Sequence, residues 1–310
     1  MVRLAAVSLV VKLLFPVLLL AACAARSEVR HIKTSDGVDL FVAVKGHGTP
    51  CLYLHGGPGS GSYWLEKFSG ELLERNFQMI YLDQRGTSRS TSPATSDYSL
   101  DRMVRDFEEV RAALGIRQWL TLGHSFGGVL QVVYAQRHPG VVQGLLMINC
   151  GLNVRASAAE VLPHACSLLG PAPPKPCTDE SAPLIERVSA VFRQLGDRDL
   201  FWKLGYASLD NKKLMDATFD DLPDWNKDLE NHALSIEEYW KDYAQLTPSI
   251  SAPVLFFYGQ SDWMVGPTHY KLARFPHMLL WPSAVGHVPF LENPADLARA
   301  IASYRRRFRL

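Results

Sequence analysis

Three residues of this 310-residue chain have the types and settings for nucleophilic acyl transfer: Ser125, Asp262 and His287. Ser125 sits in Gly123-His124-Ser125-Phe126-Gly127, a Gly-x-Ser-x-Gly pattern. Chance alone places that pattern in a chain this long about one time in ten, so its setting matters more than the pattern. It directly follows the apolar run Trp119–Leu122 and directly precedes a helix-like stretch, with Gly128 adding further small size. In that strand–turn–helix setting, glycines permit a strained turn that exposes the serine hydroxyl. A serine hydroxyl is a poor nucleophile near neutral pH, so a base must take its proton and an acid must orient the base. Asp262 follows the apolar run Val254–Tyr258, and His287 follows Met278–Trp281, giving the chain order serine, acid, histidine. Two other acids, Asp83 and Glu292, fail on that order, since one precedes the serine and the other follows the histidine.

These three side chains meet only if the strands that carry them lie side by side. Val29–Lys33 and Val38–Val44 flank Ser35-Asp36-Gly37, a hairpin signal. Short apolar runs at Cys51–Leu54, Met79–Leu82, Trp119–Leu122 and Leu145–Ile148 then alternate with helix-like stretches at Tyr63–Arg75, Ser99–Leu114 and Gly127–Arg137. The alternation resumes at Val254–Tyr258 and continues through an expected helix over Pro267–Phe275, Met278–Trp281 and a last helix over Pro294–Phe308. Strands alternating with helices predict an α/β fold with a mostly parallel sheet flanked by helices. Ligand sites of such sheets lie outside the carboxyl ends of the strands, where Ser125, Asp262 and His287 all fall. The loop after Cys51–Leu54, His55-Gly56-Gly57-Pro58-Gly59, lets a backbone approach the substrate without side-chain obstruction. The Gly57 N–H, with the N–H of Phe126, is therefore assigned to the developing oxyanion.

Between about Leu152 and Ile250 the strand signal stops. This stretch is rich in proline, acidic residues and aromatics, and reads as a helical insertion. Cys166 and Cys177 lie within it, in a proline-rich stretch that a local disulfide between them would pin, while Cys51 and Cys150 belong to apolar runs and read as small buried hydrophobes.

Residues 1–25 differ from the rest, with no acidic residue and a short apolar core behind Arg3 and Lys12. Leu13–Ala22 is too short to span a bilayer and reads as an export signal. Its end, Leu20-Ala21-Ala22-Cys23, resembles a bacterial lipobox, which implies a lipid-modified Cys23 as first mature residue. The expected organisation is 1–22 signal, 29–151 and 252–310 α/β core, and 152–251 insertion. The expected location is outside the cytoplasm, on a membrane, through the lipid.

Lysine plus arginine total 32 against 31 aspartate plus glutamate, a balance without the basic excess that nucleic-acid binding uses. Hydrophobic residues at 47% and charged residues at 20% exclude a disordered chain. No HExxH, CxxC pair or complete dinucleotide or P-loop signature is present, so no cofactor or metal is expected.

Together, His55-Gly56-Gly57-Pro58-Gly59, Asp83-Gln84-Arg85-Gly86, Gly123-His124-Ser125-Phe126-Gly127-Gly128 and the Asp262 and His287 contexts resemble the α/β-hydrolase fold. The first two motifs are similar to those of the prolyl iminopeptidase family of serine aminopeptidases. The resemblance implies that residues 152–251 form a helical cap, that acidic cap side chains bind a substrate amino group, and that an N-terminal residue leaves through an acyl-enzyme. Glu186, Glu237, Glu238 and Asp242 are the acidic candidates. The chain departs from the family at His124 and Phe126, which flank the nucleophile where glycine and tryptophan are usual, and at Ser88, where glycine is common. Those departures bear on the proline pocket, and they leave a small-ester carboxylesterase with the same triad as the alternative. A non-catalytic surface lipoprotein is the alternative from another class. The expected partner is a small molecule or short peptide.

Overall fold

Short apolar runs that are too brief for helices and buried on both faces pair into one sheet. The computed structural model describes residues 26–222 and 224–310, so the expected signal and Cys23 lie outside the described residues. The strands are β1 (Arg26–Lys33), β2 (Asp39–Gly46), β3 (Thr49–Leu54), β4 (Phe77–Leu82), β5 (Trp119–His124), β6 (Val142–Ile148), β7 (Val254–Gly259) and β8 (Met278–Ser283). Their order across the sheet is β1-β2-β4-β3-β5-β6-β7-β8. β1 and β2 form the antiparallel hairpin, β2 runs antiparallel to β4, and all remaining neighbours are parallel. Gly37, at φ +90°, makes the hairpin turn.

Helices cover both faces. In β3 and β4, Leu52, Leu54, Ile80 and Leu82 pack with helix residues Leu100, Met103, Phe107 and Val110 and with Val129, Leu130 and Val133. The alternate residues Cys51, Tyr53, Met79 and Tyr81 pack the other way, with Leu65, Leu73, Leu297, Ile301 and Tyr304. This period-two partition follows from side chains alternating across a strand. The helices concerned are α1 (Tyr63–Glu74), α2 (Leu100–Ala113) and α3 (Gly127–Arg137), with α11 at the C-terminus (Pro294–Phe308). Ser99 caps α2 by accepting the Arg102 N–H, and Asn293 caps α11 by accepting that of Asp296.

Between β6 and β7 come α4 (Val154–Leu168), α5 (Lys175–Thr178), α6 (Leu184–Asp197), α7 (Trp202–Gly205), α8 (Leu209–Asp216) and α9 (Asp228–Ala233), with short 3₁₀ turns. α10 (Pro289–Glu292) begins two residues after His287. The α4–α7 region has its own apolar cluster, including Val161, Ala165, Val191, Leu195 and Leu204. Cys166 and Cys177 form a disulfide joining α4 to α5, while Cys51 and Cys150 are buried free thiols.

The helix expected over Pro267–Phe275 is a correction. Only a 3₁₀ turn, His269–Leu272, forms there. Pro276 disfavours a helical Phe275, and Ala273 is already extended at ψ +128°. The Arg274 N–H goes to the Thr247 hydroxyl at 2.9 Å, a tertiary partner that replaces a helical carbonyl.

Candidate active site

Ser125 stands in the turn between β5 and α3 with φ +54°, a left-handed conformation that costs a non-glycine residue energy. Its neighbours explain how the turn closes. A Cβ on Gly127 would overlap the Leu54 carbonyl oxygen, and one on Gly123 would overlap the Gln131 side chain. A Cβ on Gly56 would sit 2.6 Å from that of Ser125. The two glycine-containing loops, after β3 and after β5, can therefore touch only because each lacks side chains at the contact. The Ser125 N–H donates to the Ile148 carbonyl at 3.1 Å, fixing the turn to β6.

The loop after β3 is held from below by His55, which is fully buried. Its Nε2 accepts the Gln84 N–H at 3.0 Å, leaving Nδ1–H to donate to the Gly56 carbonyl at 3.1 Å. Burial pushes the His55 imidazole down to about 4, so the ring is neutral near pH 7. Among the described residues, neither the Gly57 N–H nor the Phe126 N–H donates to a protein acceptor.

Asp262 is fully buried in the turn after β7. Its Oδ1 accepts the Met264 N–H at 3.0 Å, and its Oδ2 accepts His287 Nδ1–H at 2.9 Å. That bond leaves His287 Nε2 free as a proton acceptor. Ser125, Phe126, Gly57, Pro58 and His287 share the wall of one cavity of about 250 Å³. The rest of its lining is largely apolar, including Val154, Leu234, Tyr239, Trp240, Met264 and Val265. A second, larger cavity of about 1290 Å³ adjoins it, sharing Gly57, Pro58, Ala233 and Leu234. The second cavity adds Trp64, Phe219, Trp225, Asp220, Lys227 and Glu230.

Three residues escaped the sequence reading as parts of this site. Asn149, buried just past β6 at φ +49°, donates Nδ2–H to the Gly286 carbonyl at 2.8 Å and accepts the Gly259 N–H at 2.6 Å. It thus ties the loop carrying Asp262 to the loop carrying His287. His124 donates Nε2–H to the His287 carbonyl at 2.7 Å, and burial pushes its imidazole down to about 3, so it too is neutral. Glu292 bonds the backbone on both sides of His287, accepting from Gly286 at 3.0 Å and Val288 at 3.3 Å. The signal for Asn149 was its place at the end of an apolar strand, beside the other strand-end residues.

Asp83 has a different role. It accepts the Ser62 N–H and hydroxyl, each at 2.7 Å, and pairs with Arg89 at 2.6 Å. Burial works to raise its carboxyl, but Arg89 and the Ser62 donors hold it below the usual range. Arg85 of the same loop is buried against Asp106 and Asp36. The four acidic candidates for an amine fare differently from expectation, because none lines either cavity. Glu238 accepts the Leu100 N–H at the start of α2, Asp242 accepts the Ala244 N–H, and Glu186 and Glu237 are exposed. Among the described residues, Glu230 and Asp220 are the carboxylates that line the larger cavity.

The alpha/beta hydrolase fold family matches residues 49–294, so the chain belongs to that family. Proline iminopeptidase of Neisseria meningitidis is 41% identical over 101 residues, 32% of this chain and 32% of its own length. That of Xylella fastidiosa is 39% identical over 110 residues, 33% of this chain and 34% of its own. The matched stretch thus spans about a third of these curated relatives. Among solved structures, a proline iminopeptidase-related protein of Thermus thermophilus superposes with a TM-score of 0.75 at 22% identity, covering 91% of this chain and 98% of that one. An esterase from Exiguobacterium antarcticum gives 0.66 at 19% identity, covering 90% and 100%. At such identities the likeness is one of fold.

Proposed function

We propose that the protein is a serine hydrolase working through an acyl-enzyme, and that it releases N-terminal residues from small peptides. The observation that carries the hydrolytic part is the shared cavity wall of Ser125, Gly57, Phe126 and His287, with Asp262 bonded behind His287. Ser125 attacks the carbonyl while His287 Nε2 takes its proton. Asp262 orients His287 and stabilises its charged form. The Gly57 and Phe126 N–H groups receive the oxyanion. His287 then returns the proton to the leaving group, and water releases the acyl group by the same route in reverse.

Local identity to proline iminopeptidases supports the peptide reading, and Glu230 supplies a carboxylate in the larger adjoining cavity for a substrate amine. One observation favours small esters as the second reading: among the described residues, no carboxylate lines the cavity that holds Ser125 and His287. Proline anilide and short-chain ester substrates, assayed side by side with and without a blocked amine, separate the two. Inhibition by blocking the amine supports the peptidase, and indifference to it supports the esterase. Ser125→Ala should lower turnover by on the order of 10⁶ and abolish fluorophosphonate labelling. Wild-type-like hydrolysis by that variant would overturn the mechanism. Cys23 is proposed as the lipid anchor of an exported protein, on the lipobox-like Leu20-Ala21-Ala22-Cys23 alone.

A further inference from the structure

Glu292 is a carboxylate beside the proposed base His287 that is not the acid of the triad. Its two oxygens take three backbone N–H groups. Oε2 accepts from Gly286 at 3.0 Å and from Ala207 at 3.1 Å, and Oε1 accepts from Val288 at 3.3 Å. Gly286 and Val288 flank His287, whereas Ala207 belongs to the segment between α7 and α8, within the inserted region. The same segment makes two further bonds to the catalytic loops. The His287 N–H donates to the Gly205 carbonyl at 2.7 Å, and the Trp263 N–H, next to Asp262, donates to the Leu204 carbonyl at 2.9 Å. The approach is close enough that a Cβ on Gly286 would lie 2.5 Å from the Gly205 oxygen and 3.0 Å from Glu292 Oε1.

We infer that Glu292 is a positioning residue that locks His287 to residues 204–207, so that seating of the inserted helical region and readiness of the base are one event. The physical reason is economy of partners. A carboxylate is the side chain able to accept several N–H bonds at once, and charge-assisted bonds are roughly twice as strong as neutral ones. Here one carboxylate spans two loops that share no covalent neighbour. When residues 204–207 move away, the His287 N–H loses its acceptor and Glu292 loses one donor, so the loop that sets the imidazole against Asp262 loosens although Asn149 and His124 still bond it. The inference rests on His287 being the base.

The test uses the full chain with Glu292→Gln and Glu292→Ala. Glutamine keeps one acceptor oxygen and the shape, but turns an NH₂ group towards at least one backbone N–H. The expected result is a kcat lowered at least tenfold in Glu292→Gln and further in Glu292→Ala, with KM changed less than threefold. Fluorophosphonate labelling of Ser125 should slow by the same factor. Hydrogen exchange should quicken together in peptides covering 202–208 and 284–290, before the rest of the fold. A merely structural carboxylate would instead lower thermal stability while the surviving folded fraction kept its kcat, and that result overturns the proposal, as does faster exchange in only one of the two segments. His287→Ala in parallel keeps the two readings apart. If it stays active, the catalytic assignment itself is wrong. If it is inactive while Glu292→Gln is wild-type-like, only the lock is wrong.

Discussion

Asn149→Ala removes a side chain that makes two buried hydrogen bonds between the neighbouring loops that carry Asp262 and His287, to Gly286 at 2.8 Å and Gly259 at 2.6 Å. The site is fully buried, so water cannot readily replace either partner. Each orphaned backbone group costs about 1–3 kcal/mol, so the pair costs roughly 2–6 kcal/mol. A further cost comes from the backbone. Residue 149 sits at φ +49°, which asparagine tolerates and alanine does not, adding about 1–2 kcal/mol. Against a typical total of about 5–15 kcal/mol, such a loss is a large fraction of the fold's stability. Asn149→Gly isolates the two effects, because it loses the same bonds without the strain. Urea unfolding of the three proteins should therefore rank wild type above glycine above alanine. Asn149→Asp keeps an acceptor for the Gly259 N–H but sets a carboxylate against the Gly286 carbonyl, and should fall below wild type as well. An alanine variant within about 1 kcal/mol of wild type, or one as stable as the glycine variant, would refute the reasoning.

Three further outcomes are expected. The imidazoles of His124 and His55 are pushed down to about 3 and about 4 by burial, whereas in the unfolded chain they titrate near the ordinary value of 6.5. Between those values the unfolded state binds more protons, so stability is full above pH 6.5 and falls on acidification, by about 1.4 kcal/mol per pH unit for each ring. Urea midpoints from neutral pH down to about pH 4 should show this, and His124→Gln, which keeps an N–H donor for the His287 carbonyl, should flatten the slope; an unchanged slope would count against it. Gly127→Ala drives a Cβ into the Leu54 carbonyl and should cost about 1–3 kcal/mol or more together with Ser125 labelling, whereas Gly140→Ala, which meets open space, should stay within about 0.5 kcal/mol in the same unfolding assay. Cys23→Ser should shift the protein from the membrane to the soluble fraction without changing turnover of a soluble substrate. β1 begins opposite Gly46, which pairs with Gln78 at the start of β4, at the end of the sheet away from the catalytic loops. Unchanged membrane fractionation of the Cys23→Ser variant would refute the anchor.

The sequence by itself determined the sheet, because a short apolar run buried on both faces has few other ways to satisfy its backbone, and the alternation with helices forces parallel crossovers. It also placed Ser125, Asp262 and His287 at strand ends, since residue order and the glycines around Ser125 are local properties. What only the tertiary structure decided are contacts between segments distant in the chain. Asn149 joins two loops through a left-handed residue. His124 serves the carbonyl of a histidine 163 residues away. Glu292, set aside on chain order, holds the backbone on both sides of His287. The sequence offered Glu186, Glu237, Glu238 and Asp242 rather than Asp220 and Glu230 for the same reason. A helical period shows which face of an element is apolar, but Glu238 meets the first N–H of α2 and Glu230 lines the larger cavity because of how α9 and its neighbours pack on the core. Over Pro267–Phe275, a tertiary acceptor on Thr247 and the proline at 276 outweighed the local helical pattern.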